Sequence, residues 1–200
     1  NRNLISFRCG EGSHELTFAK LNPHLNVLGY DISQSLIDKA NTKSTVENID
    51  NVKFYNNDIY KILLENESVD YFLFNASLHH FRDIKGLVTW KLLPALKKGG
   101  LVIINEYVGP NRLNFPNSQI EFCNNCLRRI PQEDRKILLL NKYKTRCYRT
   151  GKLRMIISDP SECVDSELIM SVLKDTFVER KYVSVGGNML VPTLKHIAHH

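Results

Sequence analysis

The sequence predicts an α/β protein: a doubly wound, mostly parallel sheet with a helical insertion after the fifth strand. Two observations carry this. Through the first hundred residues, short strand-like runs alternate with helix-like ones, which is the rhythm of βαβ units. The residues with chemistry to offer also fall where strands end. A glycine turn, Cys9-Gly10-Glu11-Gly12, follows the first strand, and Asp31 closes the second. In open sheets of this kind, ligands bind beyond the carboxyl ends of the strands.

The elements follow in order. Asn3–Phe7 reads as a strand, Ser13–Lys20 as a helix and Asn26–Tyr30 as the second strand. Ser33–Asn41 reads as a helix, with Ser33 as its N-cap and Leu36, Ile37 and Ala40 on one face. Val52–Tyr55 is a third strand ending near Asp58, and Val69–Phe74 is an apolar run suited to burial on both faces. Asp83–Leu96 carries Ile84, Leu87, Val88, Leu92 and Leu96 at helical spacing, and Lys97-Lys98-Gly99-Gly100 ends it before a fifth strand, Leu101–Ile104. After Glu106 the rhythm changes. Pro110, Pro116 and Pro131 interrupt the chain, with helices expected over 117–129 and 132–142. A loop at Ser158-Asp159-Pro160-Ser161 leads to a helix over 165–175 and a strand at Phe177–Val185; Gly186, Gly187 and Pro192 disfavour a further strand. Residues 1–200 read as one domain, and 107–160 as a substrate-side insertion or lid over the strand tips.

Composition narrows the class. An apolar fraction of 42% and a charged fraction of 24% are ordinary for a globular domain. No apolar run approaches the roughly 18–20 residues of a membrane span. The chain opens with Asn1 and enters a strand at once, so a native segment is expected to precede it. Five cysteines, odd in number and irregularly spaced, do not form a disulfide framework and suit a reducing cytoplasm. Cys123 and Cys126 read as two thiols on a helix face. Zinc would need a second ligand pair at metal spacing, none is present, and no metal is expected.

The net charge of +6 is unevenly spread. Arg128 to Arg154 holds ten Lys/Arg against Glu133 and Asp134, a local +8, leaving −2 elsewhere. Lys142, Lys144, Arg146, Arg149, Lys152 and Arg154, with Tyr143 and Tyr148 among them, would attract an anionic small molecule. A solvated surface is the plainer alternative. Nucleic acid is disfavoured, because no RNA-binding motif accompanies the charge.

A glycine turn lets backbone approach a ligand, and an acid at the next strand tip accepts hydrogen bonds from ribose hydroxyls. Together they indicate a nucleoside-type cofactor. A nicotinamide-dependent oxidoreductase is the weaker alternative, because Gly10-Glu11-Gly12-Ser13-His14-Glu15 lacks the third glycine of that fingerprint.

Five segments in order then resemble the motifs of class I S-adenosylmethionine-dependent methyltransferases, in the branch related to ubiquinone-type enzymes. They are Leu4 to Gly12, Gly29-Tyr30-Asp31-Ile32-Ser33, Asn57-Asp58-Ile59, Asn75-Ala76-Ser77-Leu78-His79-His80 and Leu93 to Gly100. The resemblance runs from Leu4 to about His199. It implies S-adenosylmethionine as cofactor, S-adenosylhomocysteine as product and methyl transfer to a small molecule. It also implies roles. Arg8, Cys9, Gly10, Glu11 and Gly12 would form the loop at the cofactor's amino-acid end. Asp31 would take the ribose and Ile32 would pack on adenine. Asp58 would accept from the adenine amino group, with Ile59 beside it. Asn75 and Ala76 would line the sulfonium pocket, and His79, His80 and Glu106 would face the acceptor, one histidine as a candidate base.

Each residue has a plainer role open to it. Asp31 could be a strand-end turn residue, Asp58 could cap the turn after it, and Glu106 could pair with a nearby cation. His79 and His80 could not both point the same way in an extended segment. Two positions depart from the family, which usually has an acid at Ser6 and a glycine at Arg8. The acid commonly steadies the loop or the cofactor's amino group. The departures admit an alternative, a methyltransferase-like binding or scaffold module that has lost the cofactor.

Overall fold

The computed structural model describes residues 2–138, 140–149 and 151–197. Five parallel strands form one sheet in the order β3-β2-β1-β4-β5. They are β1 (Arg2–Phe7), β2 (Leu25–Asp31), β3 (Val52–Asn56), β4 (Val69–Asn75) and β5 (Leu96–Asn105). Chain order reverses between β1 and β4, so their carboxyl ends flank the crevice where such sheets take ligands.

Alternation along the central strands builds two cores. Leu4, Val27, Phe54 and Leu73 face one way, against α1 (Ser13–Leu21) and α2 (Gln34–Val46). Ile5, Phe7, Phe72 and Phe74 face the other way, against Ile84, Leu87, Val88, Leu92 and Ile169. Phe7 stacks with Phe72 at 6.1 Å and with Tyr30 at 5.8 Å. These rings supply much of the buried apolar area that holds the sheet.

Several expectations needed correction. The run Asp83–Leu96 is helical only from Ile84 to Ala95, and its middle, Leu87–Leu92, is π-helical. Pro94 collides with a regular turn at the carbonyl of residue i−4, which widens the helix there. Lys97 to Gly100 do not stop that helix; they already belong to β5. The expected helix over 132–142 is reduced to a single turn, Glu133–Arg135. Its charges (133–136) and its apolar residues (137–140) stand in two blocks rather than at helical spacing, and Lys136 and Ile137 bridge instead to Tyr143 and Ile197. Phe177–Val185 forms no strand. Val178, Val183 and Val185 are largely exposed, so the period-2 pattern found no sheet face. Conversely, Lys152–Ser158 is a helix where only a basic stretch and a loop were expected. The helices Asn117–Arg129 and Ile169–Thr176 stand near their expected places. His199, the far end of the resemblance, lies outside the described residues. No helix among the described residues is long and apolar enough to cross a membrane.

Candidate functional site

The loop after β1 turns through three left-handed residues, Arg8 (φ 56°), Gly10 (φ 57°) and Gly12 (φ 72°). The two glycines are needed for different reasons. A Cβ on Gly12 would lie 2.4 Å from the Phe54 ring, so this glycine lets α1 close on the sheet. A Cβ on Gly10 would meet nothing within 4 Å, so its backbone is open to the crevice.

Asp31, at the tip of β2, is buried and pins this loop. Its Oδ2 accepts from the Gly10 amide at 3.0 Å, and its Oδ1 accepts from the Ser33 amide at 2.9 Å. Next to it Ile32 is 67% exposed, an apolar side chain at a strand tip with no protein surface covering it. Ser33 stands at the N-cap of α2, but its side chain makes no capping bond.

Not every predicted residue faces the crevice. Glu11 is spent on α2, pairing with Lys43 at 2.8 Å and Lys39 at 3.2 Å; those bonds hold its carboxyl below the usual range. The Cys9 side chain packs into the core beneath the loop, where burial and the nearby Glu15 and Asp31 push its thiol up and keep it protonated. Ile59 is a core residue. Asp58 caps its own turn, accepting from the Tyr60 amide at 3.0 Å.

A residue outside the expected set lies beneath the loop after β1. Glu15, in the first turn of α1, is 2% exposed and accepts from the Ser6 hydroxyl at 2.6 Å. Its Oε2 is buried and has no hydrogen-bond partner among the described residues. Burial pushes its carboxyl up, beyond what the Ser6 bond restores. An acid right after a glycine turn, directed back at a serine where an acid is usual, was the signal available in the sequence.

The other side of the crevice is built on the tips of β4 and β5. Asn105 donates to the Asn75 side chain at 2.8 Å and its carbonyl accepts from the Ala76 amide at 2.8 Å; Ala76 sits at φ 49° and is exposed. The chain then enters a tight turn, Leu78–His80, rather than an extended segment. Both imidazoles therefore do face the same way, with ring centroids 4.1 Å apart.

Glu106 accepts from the amides of Ser77 (2.8 Å), Leu78 (2.5 Å) and Tyr107 (2.8 Å), and bonds His79 Nδ1. Burial opposes its ionisation, but His79 and these amides outweigh that and hold its carboxyl low. Glu106 is thus a positioning residue for His79. Burial, the Arg8 guanidinium and His79 hold the His80 imidazole below its ordinary value.

A distant loop closes over these histidines. Glu162 places Oε1 3.7 Å from His79 Nε2 and Oε2 3.7 Å from His80 Nε2. Ser161 Oγ lies 3.1 Å from His80 Nδ1 and accepts from Arg8 at 3.3 Å. Arg112 fixes the loop by donating to the carbonyls of Asp159, Pro160 and Glu162. Arg8 is therefore drawn across the crevice to Ser161 rather than folded over Gly10. Within the basic segment, Lys144 donates to the carbonyls of Pro192 and Lys195, and Arg149 to that of Phe115, so both are structural. A surface cavity of about 410 Å³ lined by Tyr60, Leu63, Trp90 and Lys91 shares no residue with this edge.

The comparisons with known proteins agree with this architecture. Malonyl-[acyl-carrier protein] O-methyltransferase of Bacillus anthracis is 27% identical over 104 residues, which is 52% of this chain and 37% of that protein. The chain thus spans little more than a third of that relative. Phosphoethanolamine N-methyltransferase 2 of Haemonchus contortus, in complex with S-adenosyl-L-methionine, aligns at a TM-score of 0.52 and 25% identity, covering 61% of this chain and 28% of that one. Its complex with phosphomonomethylethanolamine and S-adenosylhomocysteine aligns at 0.59 over 88% of this chain and 33% of that one; at 20% identity this match speaks for the fold alone. The family model described as a methyltransferase domain matches residues 3–178, most of the chain, and the protein belongs to that family.

Proposed function

We propose that this chain binds S-adenosylmethionine over the tips of β1 and β2 and directs methyl transfer to a small-molecule acceptor held at the tips of β4 and β5. One observation carries this most directly. Asp31, buried at the β2 tip, ties the open Gly10 backbone to the start of α2, with the exposed Ile32 beside it. These features support the reading, because a carboxylate suits ribose hydroxyls, an exposed apolar side chain suits a base, and an open glycine backbone suits close approach of a ligand.

The residues fit the cofactor. The unpartnered Oε2 of Glu15 offers the negative charge that Ser6 lacks and suits the cofactor's ammonium group. Arg8, reaching Ser161, leaves the face of Gly10 clear. Both departures from the family are in this way compatible with an active site. Asp58 keeps its second carboxylate oxygen for the base edge while Oδ1 holds the Tyr60 amide. Asn75 and Ala76 would border the reacting sulfur.

S-adenosylmethionine, when bound, supplies a methyl group on a positively charged sulfur. The chain's part is to hold the acceptor in line and keep water out, and positioning alone is worth up to about 7–11 kcal/mol in well-oriented systems. Glu106 fixes His79 through Nδ1, so Nε2 is the one ring atom of His79 free to take a proton or a ligand. We read residues 107–160, together with the 159–163 loop they lead into, as the cover of the acceptor side, and the acceptor as a small molecule whose charge Arg8 can meet.

Calorimetry with S-adenosylmethionine, S-adenosylhomocysteine and NAD tests this. Heat with the methyl-cycle ligands and none with NAD is expected. Heat with NAD alone, or methyl-cycle binding that survives Asp31→Ala, would overturn the assignment.

A further inference from the structure

The hydrogen-bond pattern around His79 and His80 fixes where their protons are. The Ser161 hydroxyl donates to Asp159 Oδ1 at 2.6 Å, so its oxygen can only accept from His80 Nδ1. His79 Nδ1 donates to the Glu106 carboxylate. Both rings therefore use Nδ1 for these bonds, which leaves Nε2 as the ligand atom of each. Each faces one oxygen of Glu162 at 3.7 Å. Two imidazole nitrogens and a carboxylate thus converge, with the Cys163 thiol donating to Glu162 Oε1 at 3.1 Å, and this donor set suits a cation.

The dimensions suit one. The donor atoms of His79, His80 and Glu162 all lie within 4.8 Å of one another. A tetrahedral ion with bonds of about 2.0–2.1 Å spaces its ligands about 3.3–3.4 Å apart, so the 3.7 Å gaps to the two Glu162 oxygens close by a few tenths of an ångström and a separation at the 4.8 Å limit by a rotation of the Glu162 side chain. Charge points the same way. The three carboxylates of Glu106, Asp159 and Glu162 outnumber the two guanidinium groups nearby, Arg8 and Arg112. The frame is also rigid: Arg112 holds the Glu162 loop by three carbonyls, and three amides hold Glu106.

We propose that His79 Nε2, His80 Nε2 and the Glu162 carboxylate bind a divalent transition-metal ion of the zinc class. Two imidazoles and a carboxylate favour zinc, cobalt or iron over magnesium or calcium. Glu106 and the Ser161–Asp159 pair are the outer partners that set the ring tautomers. Three protein ligands leave a position for an oxygen atom of a bound molecule, the pattern of reactive rather than purely structural sites. That oxygen would sit beside Arg8, so the ligand class is a small oxyanion or hydroxyl-bearing molecule. The role toward a methyl acceptor rests on the proposed function; the metal binding itself does not. The sequence hides the site because its third ligand comes from a loop that meets His80 from 81 residues away.

The test is a titration of chelator-treated full chain with Co²⁺ alone, followed by visible absorption and by competition with Zn²⁺. A single site is expected, abolished in His80→Ala and Glu162→Gln and weakened about 10–100-fold in Glu106→Gln. Melting curves of the metal-free variants check that each folds. Equal Co²⁺ uptake by wild type and Glu162→Gln would overturn the proposal. S-adenosylhomocysteine calorimetry on the same metal-free sample reads the cofactor site separately. Cofactor binding without Co²⁺ uptake overturns only the metal site, and the reverse overturns only the cofactor assignment.

Discussion

The two sides of the crevice are built by opposite means. On the side proposed for the cofactor the contacts that shape the crevice are short-range: Ser6 meets Glu15 nine residues on, and Gly10 meets Asp31 after 21. The geometry there is mostly backbone, set by left-handed residues in one turn. On the acceptor side His80 meets Ser161 across 81 residues, and Arg8 reaches the same serine across 153. The geometry there is made by side chains, tautomers and a pinned loop. A cofactor common to many enzymes can be held by a local device that tolerates change elsewhere. The acceptor side comes from the most distant parts of the chain, where specificity can vary without disturbing the sheet.

Substitutions can break this contrast in graded ways. Asp31→Ala should have the largest effect. It removes the proposed acceptor for ribose and leaves the Gly10 and Ser33 amides unpaired. Charged hydrogen bonds worth about 1.5–3 kcal/mol each predict roughly a hundredfold loss or more in S-adenosylhomocysteine affinity by calorimetry. Retained affinity would mean the local device is not the cofactor site.

Gly12→Ala comes next. With the Phe54 ring 2.4 Å from the new Cβ and φ at 72°, overpacking and backbone strain together should cost about 2–4 kcal/mol in denaturant unfolding. Gly10→Ala, open on all sides, should cost only the backbone strain of about 1–2 kcal/mol and act mainly on affinity. Equal stability losses at the two glycines would erase the distinction between the packing glycine and the ligand-facing one.

Glu15→Gln separates stability from binding. The wild-type carboxyl titrates above its ordinary value of 4.5 in the folded state. Below pH 4.5 it is protonated whether folded or unfolded and costs nothing. As pH rises through the interval up to the raised value, the unfolded state ionises freely and the folded state resists, so wild type loses stability. Gln does not titrate, so the ligand-free variant should melt higher than wild type above that interval and level with it below. Cofactor affinity should fall about tenfold as the charge for the ammonium is lost. A variant that melts lower at neutral pH would show that Glu15 is a satisfied structural residue.

Arg8→Gly is expected to be the smallest. It relieves a left-handed non-glycine residue at the cost of chain entropy, a net change within about 1 kcal/mol. Cofactor affinity should shift by less than about threefold, because the guanidinium bonds Ser161 and not the loop. A large loss of affinity would move Arg8 to the cofactor side.

The fold was legible because β1 to β4 announce themselves by apolar runs ended by Gly, Asp or Asn, and each packs against a helix close in sequence. Phe177–Val185 has the same alternation and forms no strand: a strand needs a neighbour with a free edge, and that is settled by the whole chain. The 132–142 stretch failed as a helix for a related reason: its charges and its apolar residues stand in two blocks, so a helix there would have no continuous face to bury. At the candidate site, the sequence marked Asp31 and Gly10 by their places after β2 and β1, and the structure joins them through the Gly10 amide. Cys9, Glu11 and Ile59 were not separable from them, because which way a loop side chain turns depends on the core beneath it and on α2 beside it.

By itself the sequence determined the sheet, the glycine turn, the acid that pins it and the family. All of these rest on periodicity and contacts spanning at most a few tens of residues, so they are written in adjacent positions. Only the tertiary structure decided that Glu15 answers Ser6, that Arg8 crosses to Ser161, and that His79, His80 and Glu162 converge. Their meeting depends on where the chain after β5 returns to the strand tips, and that is set by the packing of the whole molecule.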